Sequence, residues 1–132
     1  MSWDVFVFNS KQKIETVEDL DESLLVDIGT WQEFKRLIEN QFSNAVFDGN
    51  WCTIGGKDFS LETSLGPPDE KVDNTIFHLH GNEAIYPLMA LCQNNNWQAF
   101  DNSLEDMLNL DKPEQNGYSK FAAYLAQIKQ HN

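Results

Sequence analysis

The stretch Asn50-Trp51-Cys52-Thr53-Ile54-Gly55-Gly56-Lys57-Asp58-Phe59-Ser60-Leu61-Glu62-Thr63-Ser64-Leu65 decides the fold. From Phe59 onward the residue types alternate. Phe59, Leu61, Thr63 and Leu65 fall on one side, and Ser60, Glu62 and Ser64 on the other. Successive side chains of a strand point to opposite faces, so this pattern predicts a strand with one dry face and one wet face or polar groove. Residues 50–54 predict a second strand. Gly55-Gly56-Lys57 supplies the turn between them, because glycine takes a positive φ without steric cost. On the C-terminal side, Gly66-Pro67-Pro68-Asp69-Glu70-Lys71 is a loop. Residues 74–80 form a third strand, with Thr75, Phe77 and Leu79 toward the core and Ile76, His78 and His80 on a semi-polar face. The three strands together predict an antiparallel meander.

On the N-terminal side, Thr30-Trp31-Gln32-Glu33 matches a capping box, in which the Thr hydroxyl and the Glu carboxylate satisfy backbone N–H groups that a helix start leaves unpaired. Trp31, Phe34, Leu37, Ile38 and Phe42 then share one helical face. Residues 3–8 are apolar on both faces, which predicts a strand interior to a sheet. Residues 9–29 read as a connection with a short helical turn near residues 17–25. In the second half, Pro87 cannot sit deep inside a helix, so a helix is expected to start near Tyr86 and to close at Asn94-Asn95-Asn96. Leu88, Leu91 and Cys92 face inward on it. Residues 97–100 read as a strand, 101–106 as a turn and 107–110 as a return strand. Residues 117–130 predict a final helix, with Tyr118, Phe121, Leu125 and Ile128 on one face and Lys129 at the negative end of the helix dipole. The fold class is α+β: a single domain over residues 1–132, with a mainly antiparallel sheet of about five to six strands and two to three helices packed on it.

The composition narrows the function. Among 132 residues, 21 Asp and Glu stand against 9 Lys and Arg, a formal charge of −12. With 41% hydrophobic residues, four Trp, nine Phe and three Tyr, the chain has the apolar material for a core and is not an acidic disordered tail. Residues 14–34 hold Glu15, Glu18, Asp19, Asp21, Glu22, Asp27 and Glu33 and no Lys or Arg. Such a surface repels nucleic acid and anionic lipid and attracts basic partners. Lys35-Arg36, the only basic dipeptide, lies between Glu33 and Glu39, which does not make a phosphate-binding patch. The longest apolar runs, residues 5–8 and 85–92, are far short of a membrane span. Met1-Ser2-Trp3-Asp4 has neither the basic start nor the apolar stretch of a secretory signal. Two cysteines, Cys52 and Cys92, do not build a disulfide framework and read as buried free thiols in a reducing compartment. A cytoplasmic location is expected.

The residues that could carry chemistry are few. His78-Leu79-His80 places two imidazoles on one side of a strand, where both could reach one metal ion. Zinc needs further ligands, and Cys52, Asp48 or Glu62 would have to arrive through the fold. The plainer reading is a semi-polar strand face. No G-x-S-x-G, P-loop, dinucleotide fingerprint or H-E-x-x-H occurs, so no catalytic residue and no cofactor is assigned, and an enzyme is not expected. The acidic segment offers more. Glu18, Asp19, Asp21, Glu22 and Asp27 form a charged rim around the apolar Val17, Leu20, Leu24, Leu25 and Val26, an arrangement suited to a basic protein partner, a toxin among the options. Two alternatives stand beside this binding protein: a small-ligand or metal-binding domain using His78 and His80, its enzymatic form included, and a structural or oligomerising module.

Leu79-His80-Gly81, Pro87, Leu91-Cys92, Asn96-Trp97-Gln98-Ala99-Phe100-Asp101 and Met107-Leu108-Asn109-Leu110 together resemble a group of small uncharacterised bacterial proteins related to the immunity proteins of polymorphic-toxin systems. The resemblance covers residues 79–110 and rests on structural positions: a tight turn, a helix start, a buried Trp and a strand. It implies a non-catalytic protein that occludes a cognate toxin, and it carries over no site residue.

Overall fold

The computed structural model describes residues 3–101 and 106–110. The helix expected over residues 117–130, and residues 102–105 of the expected turn, lie outside them. In chain order the strands are β1 (Trp3–Phe8), β2 (Gly29–Thr30), β3 (Ala45–Asp48), β4 (Trp51–Gly56), β5 (Phe59–Ser64), β6 (Lys71–Val72), β7 (Asn74–His80), β8 (Gln98–Asp101) and β9 (Asp106–Met107). The helices are α1 (Trp31–Gln41) and α2 (Ile85–Asn95). The main sheet runs β3-β4-β5-β7-β1-β8-β9, with every pair antiparallel, and β2 pairs with β6 in a small second sheet. Six strands of the main sheet have four residues or more, and two helices pack on it, so the α+β class holds.

The meander read from residues 50–80 is present as β4, β5 and β7, and it gains β3 on its outer side. β1 lies between β7 and β8, the interior position that its two apolar faces predict. One turn falls later than expected. Gly56 pairs with Phe59, so both glycines close β4 and Lys57-Asp58 makes the turn, with Asp58 at φ 67. Aspartate tolerates that left-handed conformation because its short polar side chain bonds locally. Past β7 the chain turns at Gly81, whose φ is +90 and where a Cβ would lie 2.3 Å from the carbonyl oxygen of Asp58. Only glycine lets the end of β7 close against the β4–β5 turn.

Alternate strand residues make the core. Trp3, Val5 and Val7, then Cys52 and Ile54, Leu61, Phe77, Leu79 and Ala99 are buried on one side of the sheet. α1 lays Phe34 against Phe77 (ring centroids 6.3 Å apart) and stacks it on Trp97 (5.9 Å), while α2 adds Leu88, Met89, Leu91 and Cys92 to the same cluster. The capping box forms as read: Glu33 N–H donates to Thr30 Oγ1 (3.2 Å) and Thr30 N–H to Glu33 Oε1 (3.1 Å). The bonds that the Glu33 carboxylate accepts from the Thr30 N–H and from the Thr30 hydroxyl hold it below its ordinary pKa. α2 begins at Ile85 after a 3-10 turn (Asn82–Ala84), with Pro87 in its first turn, and ends on Asn96 in the left-handed region. Both thiols are buried, which pushes Cys52 up to about 11 and Cys92 up to about 12. The return strand is shorter than expected, since β9 pairs only Asp106 and Met107 with β8.

Candidate functional site

The second face of the main sheet carries the other half of each strand. Its register sets Val46, Thr53, Glu62, His78 and Asp4 in one cross-strand row. A parallel row holds Ile76, Phe6, Phe100 and Met107 on β7, β1, β8 and β9. Trp51 projects on this face from β4, two residues from Thr53. None of the seven strands contains a Lys or an Arg. Three large apolar side chains remain exposed here: Val46 at 63%, Ile76 at 41% and Trp51 at 39%. Apolar side chains grouped within a polar rim mark interaction surfaces, whereas scattered ones do not.

His78 sits at the centre of the polar row, with Glu62 opposite it on β5 and Asp4 opposite it on β1. Its Nδ1 lies 2.7 Å from Asp4 Oδ1, and its ring stacks on Trp51 with centroids 5.9 Å apart and planes 17° apart. With Nδ1 engaged by the carboxylate, Nε2 is the ring nitrogen left to meet an incoming partner. The pair is about one-third exposed, so water screens it and its contribution to stability is small. Beneath this face Thr63 Oγ1 donates to the carbonyl of Ile76 (2.8 Å) and meets Thr75 Oγ1 at 2.9 Å. That hydroxyl pair fixes the backbone from which Ile76 projects.

His80 shares the face of His78, as its spacing predicts, and stands exposed opposite Ser60. Among the described residues no three His, Cys, Asp or Glu side chains converge to hold a metal ion. Of the ligands that might have completed such a site, Cys52 is on the opposite, buried face and Asp48 is on the edge strand β3. Glu62 alone is placed beside His78.

The acidic segment has more structure than a loose connection. Two 3-10 turns (Val17–Asp19 and Glu22–Leu24) replace the single helical turn expected there. Asp19 Oδ2 accepts from Thr16 Oγ1 at 3.0 Å, and Asp21 Oδ1 accepts from Ser23 N–H at 3.0 Å. Backbone bonds from Lys11 N–H to Leu24 O (2.8 Å) and from Val26 N–H to Asn9 O (2.9 Å) close the segment on itself. Gln98 of β8, the cross-strand partner of Phe8, fastens it to the sheet: its Oε1 accepts from Ile14 N–H (2.7 Å) and its Nε2 donates to Ser10 Oγ (2.6 Å). Glu18, Asp19, Asp21, Glu22 and Asp27 are all exposed, while Leu20, Leu24, Leu25 and Val26 are half-buried.

Asp4 and Trp51 are the members of this surface that reading the chain did not single out, whereas Ile76 takes the semi-polar face its spacing predicts. A carboxylate at an alternate position of the otherwise apolar β1 was the available signal for Asp4. Comparisons with protein families, with curated proteins and with solved structures return no match. Among the described residues no helix is long and apolar enough to cross a membrane.

Proposed function

We propose that this chain is a non-catalytic binding protein that occludes a basic protein partner, as an immunity protein does its toxin, and that it acts in the cytoplasm. The observation that carries the reading is the second sheet face, where exposed Trp51, Ile76 and Val46 lie among Asp4, Asp48 and Glu62 on strands without a Lys or Arg. Aromatic and aliphatic anchors inside a rim of one charge sign suit a partner of the opposite sign. The acidic segment, fastened to the sheet through Gln98, adds Glu18, Asp19, Asp21, Glu22 and Asp27 as exposed carboxylates. Anchors supply affinity, and the carboxylates steer encounter.

The test is binding of the purified products of the reading frames adjoining its gene, followed by calorimetry at several salt concentrations. One basic product should bind stoichiometrically, with affinity falling as salt rises. W51A, and charge reversal to Lys at Glu18, Asp19, Asp21, Glu22 and Asp27 together, should each weaken binding by about tenfold or more. Binding that ignores salt and both variants would remove the surface assignment. Failure of every product to bind, with the chain instead pairing with itself, would favour the oligomerising alternative.

A further inference from the structure

On the helix side of the molecule a cavity of about 340 Å³ opens between α1, the β3–β4 turn at Gly49-Asn50 and the loop after β5. Backbone bonds tie its walls together. Leu65 N–H donates to Asn50 O (2.6 Å), Trp31 N–H to Glu70 O (3.0 Å) and Gln32 N–H to Pro68 O (3.2 Å). Trp31 is pinned in place, since a Cβ on Gly66 would fall 2.2 Å from its indole nitrogen, and it meets Phe34 edge-on at 5.6 Å. The cavity is therefore built before any ligand arrives, and its volume lies in the range of small-molecule sites.

Its charge runs against that of the chain. Lys35 and Arg36, the only adjacent basic pair, both line it; Glu39 is the one carboxylate in the lining, and Glu33, outside it, feels the charge of Arg36. Lys35 Nζ stands 4.8 Å from the Phe47 ring centroid. Among the described residues the ion pairs are Lys13–Glu15 and His78–Asp4, so neither Lys35 nor Arg36 has a carboxylate within 4.0 Å. In a chain with 21 acids, two cations without a salt-bridge partner at a preformed cavity point to an anion. Within the lining, two cations against Glu39 leave one net positive charge, which suits a monoanion rather than a polyanion. The −12 of the whole chain disfavours anything carrying several phosphates. A guanidinium grips a carboxylate through two parallel bonds, and an indole offers a flat apolar wall.

We propose that this cavity binds a small aromatic monocarboxylate, its ring against Trp31 and its carboxylate between Arg36 and Lys35. The site is independent of the sheet face. The test is a titration of the full-length ¹⁵N-labelled chain, followed by amide shifts, with indole-3-acetate as the probe. Indole-3-acetamide keeps the ring without the charge, and acetate keeps the charge without the ring. Indole-3-acetate should give saturable shifts confined to residues 31–39, 49–50 and 65–66, and each control should bind about tenfold or more weakly. R36Q, at an exposed position, should lower the affinity severalfold, and K35Q/R36Q should abolish it while leaving the remaining spectrum unchanged. G66A, which forces Trp31 aside, should lower it as well. No saturable shift, equal affinity for the acetamide, or full affinity in K35Q/R36Q would each overturn the proposal.

Discussion

Thr63 and Thr75 carry the most exacting prediction, because one proton has to be shared out between two bonds. Thr63 Oγ1 has a single hydrogen, and it is directed at the Ile76 carbonyl, 2.8 Å away. The 2.9 Å contact with Thr75 must therefore run the other way, with Thr75 donating. The hydroxyl contact is buried, and both residues lie on the core face. T75V removes one donor and leaves the Thr63–Ile76 bond standing, at a cost of about 1 kcal/mol. T63V leaves two groups without their partner, the Ile76 carbonyl and the Thr75 hydroxyl, and should cost about 2–3 kcal/mol. The double variant orphans only the carbonyl. It should cost no more than T63V alone, a coupling of about 1 kcal/mol. Valine keeps the branched shape that strands favour, and its gain in apolar transfer cancels around the cycle. Urea unfolding followed by tryptophan fluorescence and by far-UV circular dichroism measures each corner, provided the two transitions coincide. T63V no worse than T75V, or a double variant equal to the sum of the singles, would refute the assigned directions.

Two further outcomes follow from the backbone and the thiols. G81A should destabilise the fold by about 1–3 kcal/mol, because φ +90 strains any side chain and the new Cβ meets the Asp58 carbonyl; thermal unfolding unchanged from the parent would contradict this. Cys52 and Cys92 should stay unmodified by iodoacetamide at pH 8 until the chain unfolds, as burial raises both thiols to about 11 and about 12. The folded thiols ionise later than the unfolded ones. Their contribution is thus complete below pH 9.0 and is lost as pH rises toward those raised values. Urea midpoints of C92A should accordingly fall less steeply above pH 9.0 than those of the parent, and equal slopes would remove the thiol from the account.

Local chemistry made much of this fold legible. The alternation of Phe59 to Leu65 gave away β5 and its wet face, Thr30 and Glu33 marked the start of α1, and Pro87 bounded α2. β3 escaped because Ala45-Val46-Phe47-Asp48 is too short for a period to emerge, and it forms because β4 offers it a ladder. β2, β6 and β9 have two residues each and are defined by their partners. The site escaped for a related reason. Spacing puts His78 and His80 on one side of a strand, but Asp4 reaches His78 across 74 positions, and only the sheet register reveals that pairing. Likewise the acid run was visible, whereas the glutamine that fastens it lies 84 residues from Ile14.

The placement of charge about the sheet argues that the acidity is directional. The strands of the main sheet set Asp4, Asp48 and Glu62 on one face with no Lys or Arg among them. Lys35 and Arg36 sit on α1, which packs against the other. Lys71 lies in β6 beside them in the field that lowers Glu33. If solubility were all that the excess supplied, acids and bases could be interspersed on both sides with the same net charge. Separation has a cost, since like charges on one face repel, and a cationic approach to that face relieves it. The exposed Trp51 and Ile76 lie where such an approach would end, so charge and apolar surface point to the same side of the molecule.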